Sequence, residues 1–147
     1  MGLIVVGLDG SPRAPAVLEA AVAIARHTGQ KLVLLRTFAV PPELPPGVWR
    51  NEGTLVDNIR GHAKDYLNDF ARGIAPEMLG EVRAELGVPW QTVCAVAKGM
   101  NAELIVVGSH GYGAIDRLLG TTAAKIVNHA ECSVLVVRAP AKPEAKG

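Results

Sequence analysis

Aromatic side chains are scarce: Phe, Tyr and Trp together make up 4% of a 147-residue chain that is otherwise about half apolar. That scarcity argues against an aromatic-rich binding sandwich. The Ala- and Val-dominated remainder suits a β-branched parallel sheet covered by small-residue helices. An excess of either charge is missing too. Fifteen Lys and Arg stand against fourteen Asp and Glu, so the basic excess or stripe of a dedicated nucleic-acid binder is absent. Cys94 and Cys132 belong to no C-x-x-C pair, which predicts reduced thiols rather than a disulfide framework. His27, His62 and His129 are scattered without metal-ligand spacing. No apolar run approaches about 18 residues, so no membrane span is expected. With no basic leader ahead of Leu3-Ile4-Val5-Val6, the expected location is the cytoplasm.

What is present is alternation. Apolar strand-like runs cover residues 3–8, 32–37, 81–86, 104–107 and 134–137, the third being the weakest. Between them lie helix-period segments. Val17, Ala21, Ile24 and Ala25 share a face, with Gly29 as the stop signal. The longest segment carries Leu55, Ile59, Ala63, Tyr66, Leu67, Phe70 and Ile74 on one face. Pro89 suits a first helical turn and sends Val93, Val96 and Ala97 inward. The last segment shows Ala123, Ile126, Val127 and Ala130 as a stripe. Such alternation predicts a single α/β domain with a five-stranded parallel sheet and helices on both faces. Residues 1–138 form that domain, and residues 139–147 read as a disordered tail. The Pro-rich passage 41–47 cannot be helix or central strand. It reads as a connector, and Trp49 and Trp90 read as packing residues.

Ligands of such sheets bind beyond the carboxyl ends of the strands, where the strand order reverses. If the order is assumed to be 3-2-1-4-5, that reversal lies between strands 1 and 4. Asp9 follows the first strand and Gly108 ends the fourth. The turn Gly108-Ser109-His110-Gly111-Tyr112-Gly113, followed by Gly120-Thr121-Thr122, has the composition of a phosphate cradle. Glycine lets backbone N–H groups approach an anion, and a following helix N-terminus adds partial positive charge. Each residue also has a purely structural reading. Glycine bends βα turns, Thr121 is an ordinary N-cap, and Asp9-Gly10-Ser11-Pro12 is a good turn and cap sequence in its own right, with Ser11 mainly a cap. His110 suits either a phosphate contact or an exposed loop. No G-x-x-x-x-G-K-[ST] and no G-x-S-x-G occurs. By sequence only Arg117 offers fixed positive charge near the cradle, whereas phosphoryl transfer relies on positioned cations. Binding is expected, with at most slow hydrolysis.

These residues resemble the universal stress protein family over residues 3–138. The resemblance rests on Val6-Gly7-Leu8-Asp9-Gly10-Ser11, on Val106-Val107-Gly108-Ser109-His110-Gly111, and on Cys132-Ser133-Val134-Leu135-Val136-Val137. ATP-binding members carry G-x2-G-x9-G-[ST] after the fourth strand. Here only eight residues, Tyr112 to Leu119, separate Gly111 from Gly120. Either the loop is one residue short and Gly120-Thr121 fill the Gly-Ser role, or Thr121 stands where glycine belongs and Thr122 supplies the hydroxyl. The first is preferred, because a loop absorbs a deletion more easily than a cradle absorbs a side chain.

The resemblance implies the adenine nucleotide alpha hydrolase-like fold, strand order 3-2-1-4-5 and frequent homodimers. It implies Asp9 at the ribose and the Thr37 backbone at the adenine. It places Val107, Gly108, Ser109, His110 and Gly111 along the ribose and phosphates, and Gly120, Thr121 and Thr122 at the outer phosphates. Mg²⁺ or Mn²⁺ would accompany the triphosphate. The apolar run in residues 133–138 would be a sheet edge, so pairing with a second copy is expected there. The resulting expectation is an ATP-binding, stress-related switch. The alternative is a dimeric module that binds no nucleotide.

Overall fold

The computed structural model describes residues 2–40, 52–109 and 119–138. Strands β1 (Leu3–Gly7), β2 (Lys31–Phe38), β3 (Leu79–Leu86), β4 (Leu104–Gly108) and β5 (Ser133–Val137) alternate with helices α1 (Ala14–Thr28), α2 (Glu52–Ala71), α3 (Pro89–Gly99) and α4 (Thr121–His129). A short 3₁₀ turn, Pro76–Met78, precedes β3. All four strand pairings are parallel, and the order is β3-β2-β1-β4-β5, the order that the family resemblance implies.

The sheet is buried on both faces, which is why its central strands are continuous apolar runs rather than alternating ones. Ile4, Val6, Leu32 and Leu34 point into one layer with Val17, Ala21 and Leu67 of α1 and α2. Val5, Val33, Leu35 and Ile105 point into the other, with Val93, Val96 and Ala97 of α3 and Ile126 of α4. Side-chain direction alternates along each strand, so one strand feeds both layers. Helix α1 ends where Gly29, at φ 75°, takes the left-handed cap and donates its N–H to the Ala25 carbonyl. Pro89 occupies the first turn of α3 as predicted. Trp90 packs partly buried against the second layer, its ring 4.5 Å from that of His129.

Three expectations need correction. Ile74 continues the spacing of α2 but lies beyond its end. The helix stops at Ala71, and Ile74 reaches the core from a turn in which its N–H donates to the Ala71 carbonyl. Val127 is 47% exposed rather than part of the inward stripe, because the fully buried positions of α4 are Ala123 and Ile126. Ser11 is not the N-cap of α1; that position is held by Arg13, whose amide donates to Ser11 Oγ at 3.3 Å. The passage 41–47, Trp49 and the tail 139–147 lie outside the described residues. Both cysteines are free thiols. Burial pushes both thiols up, and for Cys94 the neighbouring Cys132 adds to the effect.

Leu67 is fully buried where α2 meets the sheet. Leu67→Ala is expected to destabilise the protein by about 2–5 kcal/mol in denaturant unfolding. A loss below about 1 kcal/mol would mean that α2 is not docked on the first layer.

Candidate functional site

Strands β1 and β4 are neighbours, paired from Ile4 with Leu104 to Val6 with Val106. The chain leaving β1 turns toward β2, whereas the chain leaving β4 turns toward β5. The two connections therefore diverge, and a crevice opens above the strand ends. A cavity of about 290 Å³ occupies it, near the lower end of the roughly 300–1,000 Å³ typical of small-molecule sites. Its floor and walls combine apolar side chains of the second core layer, such as Leu35, Val93 and Ile126, with a polar rim.

Of the ten residues expected at a nucleotide, eight line this one cavity: Asp9, Thr37, Val107, Gly108, Ser109, Gly120, Thr121 and Thr122. They come from four separate places in the chain and are united only by the sheet. His110 and Gly111 lie outside the described residues, as does Arg117.

The first polar wall is the β1–α1 turn. Asp9 is exposed, and its Oδ1 accepts the Ser11 N–H at 2.9 Å, a side-chain turn that fixes the carboxylate at the rim. Gly10 stands at φ 80°, a conformation that glycine adopts without strain. Ser11 is only 5% exposed, and its carbonyl accepts the Ala14 N–H as α1 begins. The structural and the functional readings of Asp9 thus coexist: one oxygen holds the turn while the group stands at the cavity.

The second polar wall is the N-terminus of α4. Here Gly120, not Thr121, is the N-cap, at φ −63° and ψ 160°, and no side chain caps the helix. The first intrahelical bond is Ala124 N–H to the Gly120 carbonyl at 3.0 Å. The N–H groups of the first turn accordingly have no acceptor within the helix. No acidic residue occupies that turn, so no side chain of the turn itself offsets the positive end of the helix dipole. Thr121 and Thr122 are exposed there. Such a terminus accepts a phosphate or another anion.

Two amides expected to face an anion are committed elsewhere. Ser109 N–H donates to the Val137 carbonyl at 2.9 Å, and Gly120 N–H donates to the Ser109 carbonyl at 2.6 Å. The cause is burial: Ser109 is 2% exposed, and buried backbone polar groups are paired within the protein. Among the described residues of this wall, anion contact is thereby left to the first turn of α4.

Sequence reasoning missed Arg36. It lines the cavity together with Leu35 and Thr37, and its guanidinium lies 4.3 Å from the centre of the Tyr66 ring of α2. The signal was the strand end Leu35-Arg36-Thr37, of which only Thr37 was read. Among the described residues, no group of three or more His, Cys, Asp or Glu could hold a metal ion. No helix of the described residues is long and apolar enough to cross a membrane.

Comparison with known proteins agrees on one family. The profile described as the universal stress protein family matches residues 1–138. Universal stress protein A homolog 1 of Coxiella burnetii is 28% identical over 91% of this chain and 94% of its own length. Among solved structures, the universal stress protein UspA of Lactobacillus plantarum is 29% identical, with a TM-score of 0.77 over 93% of this chain and 97% of that one. A universal stress protein crystallised in complex with cAMP shares the fold at 24% identity, with a TM-score of 0.61 over 93% and 96% of the two chains.

Asp9→Asn keeps an oxygen for the Ser11 amide and is expected to leave unfolding free energy within about 0.5 kcal/mol of wild type. Asp9→Ala removes the acceptor and is expected to cost about 1 kcal/mol. Equal stability of the two variants in urea unfolding would show that the turn does not depend on this bond.

Proposed function

The chain belongs to the universal stress protein family, and on that premise we propose that it binds an adenine nucleotide in the β1/β4 crevice and serves as a nucleotide-dependent regulatory switch. The observation that carries this reading is the meeting, around one cavity, of the Asp9 turn and the uncapped α4 N-terminus. A carboxylate suits ribose hydroxyls, and a helix N-terminus suits phosphate. The Thr37 backbone at the end of β2 takes the adenine side. Val107 and Gly108 line the ribose, and Thr121 and Thr122 the outer phosphates. Ser109, His110, Gly111 and Gly120 complete the predicted contacts.

The bound cation, Mg²⁺ or Mn²⁺, would be carried by the phosphates themselves, because hard cations bind through oxygen and the described residues supply no cage for one. That the fold neighbour was crystallised with cAMP supports the choice of an adenine nucleotide. The sequence supports occupancy rather than turnover. Phosphoryl transfer needs positioned cations about the transferred group, and no P-loop lysine exists in the chain.

A second reading has its own observation. The Gly120–Ser109 bond at 2.6 Å closes part of the glycine arm on itself, as it would in a nucleotide-free module. Both readings include a cytoplasmic homodimer joined through residues 133–138. β5 pairs on one side with β4 and leaves its other edge without a strand of the described residues. Val134, Leu135, Val136 and Val137 are only half-buried, and an apolar edge of this kind is covered by pairing with another copy.

Saturating ligand at a hundred times its Kd stabilises the folded state by about 2.7 kcal/mol, which for a domain of this size is a melting shift of roughly 5–11 °C. Mg²⁺–ATP is expected to give a shift of that order, abolished by Gly120→Val. Absence of any shift at millimolar ATP would select the nucleotide-free module. For assembly, sedimentation equilibrium at micromolar concentration is expected to return twice the chain mass. A strictly monomeric species would remove the β5 interface from both readings.

A further inference from the structure

Between the β1–α1 turn and α2 lies the side chain of Arg36. On one side its guanidinium stacks 4.3 Å from the Tyr66 ring centre. On the other it fills the space beside Gly10: a Cβ placed there would stand 2.9 Å from Nη2, 3.1 Å from Cζ and 3.2 Å from Nη1. The φ of 80° by itself favours glycine at this position, and the guanidinium packs directly against its bare face. One residue before Gly10 is Asp9, and one residue after it is Ser11, whose amide holds the Asp9 carboxylate at 2.9 Å.

We propose that Arg36 is a positioning residue for ligand binding: clamped between Tyr66 and Gly10, it braces the turn that presents the Asp9 carboxylate to the crevice. This rests on the reading of the crevice as a nucleotide site with Asp9 at the ribose. Three features make a guanidinium suited to the task. It is flat, so it fits between a ring face and a bare glycine. Its charge is attracted by the ring quadrupole, and that charge persists at every physiological pH. An ammonium supplies the charge without the plane, so Arg36→Lys is not a conservative change here. Because Arg36 acts through Asp9, its effect on affinity disappears once the Asp9 carboxylate is gone. A direct phosphate contact would behave differently, since its loss would grow from adenosine to ATP and would persist without Asp9.

The test uses the full chain with Arg36→Met, Arg36→Lys, Asp9→Ala and the Asp9→Ala/Arg36→Met double variant. Two quantities are read: hydrogen exchange at the Ser11 amide without ligand, and affinities for adenosine and Mg²⁺–ATP. Arg36→Met is expected to accelerate Ser11 exchange and to weaken both ligands equally, by roughly tenfold. In the Asp9→Ala background it is expected to cost nothing further, and Arg36→Lys is expected to retain most of the loss. Unchanged Ser11 exchange overturns the proposal, and so does a loss confined to ATP or one that persists in full in the double variant. If the wild-type protein binds neither ligand, the nucleotide reading falls by itself. The bracing of the turn is then decided by Ser11 exchange alone, faster exchange upholding it and unchanged exchange overturning it.

Discussion

The structure depends on β1 and β4 lying side by side in a sheet that is buried on both faces. Their pairing from Ile4/Leu104 to Val6/Val106 satisfies backbone groups that have no access to water. It also fixes where the two strands end. Parallel strands deliver their carboxyl ends to the same rim, so the turn after β1 and the turn after β4 emerge together. The described residues of the candidate site are gathered at that rim. Asp9 and Gly108, nearly a hundred residues apart in sequence, become opposite walls of one cavity for reasons that concern hydrogen bonding and burial rather than ligand binding.

Much of this was legible in the amino-acid order. Residues buried on both sides give unbroken apolar runs, and β1, β2 and β4 were plain on that ground. β3 read weakly because it is an edge: Glu81 faces solvent, Arg83 and Glu85 are half-buried, and Ala84 alone is fully covered. A pattern diluted to one buried residue carries little signal. Ile74 was assigned to α2 because it keeps the spacing of Phe70, yet Gly73 and the turn at Ala71 end the helix first. Periodicity records which residues go inward and is silent about the route by which they get there. Val127 shows the reverse case, a stripe wider than the surface available to cover it.

The candidate site divides along similar lines. Residues adjacent to glycines and strand ends announced themselves. Arg36 did not, although it too stands near a strand end, because a lone arginine there does not say what it will touch. Its importance comes from β2 lying next to β1, which brings its guanidinium to Gly10. The hydrogen bonds of Ser109 and Gly120 were equally invisible, because a glycine-rich string states where the backbone is able to bend and not which carbonyl each amide will find.

Ser109 is joined through its amide to the end of β5 and through its carbonyl to the cap of α4. One peptide segment at the cavity is therefore coupled mechanically to the outermost strand and to the last helix. Displacing that segment would strain both hydrogen bonds at once. The cavity rim and the flank of the sheet are thus joined through the two backbone hydrogen bonds of one residue.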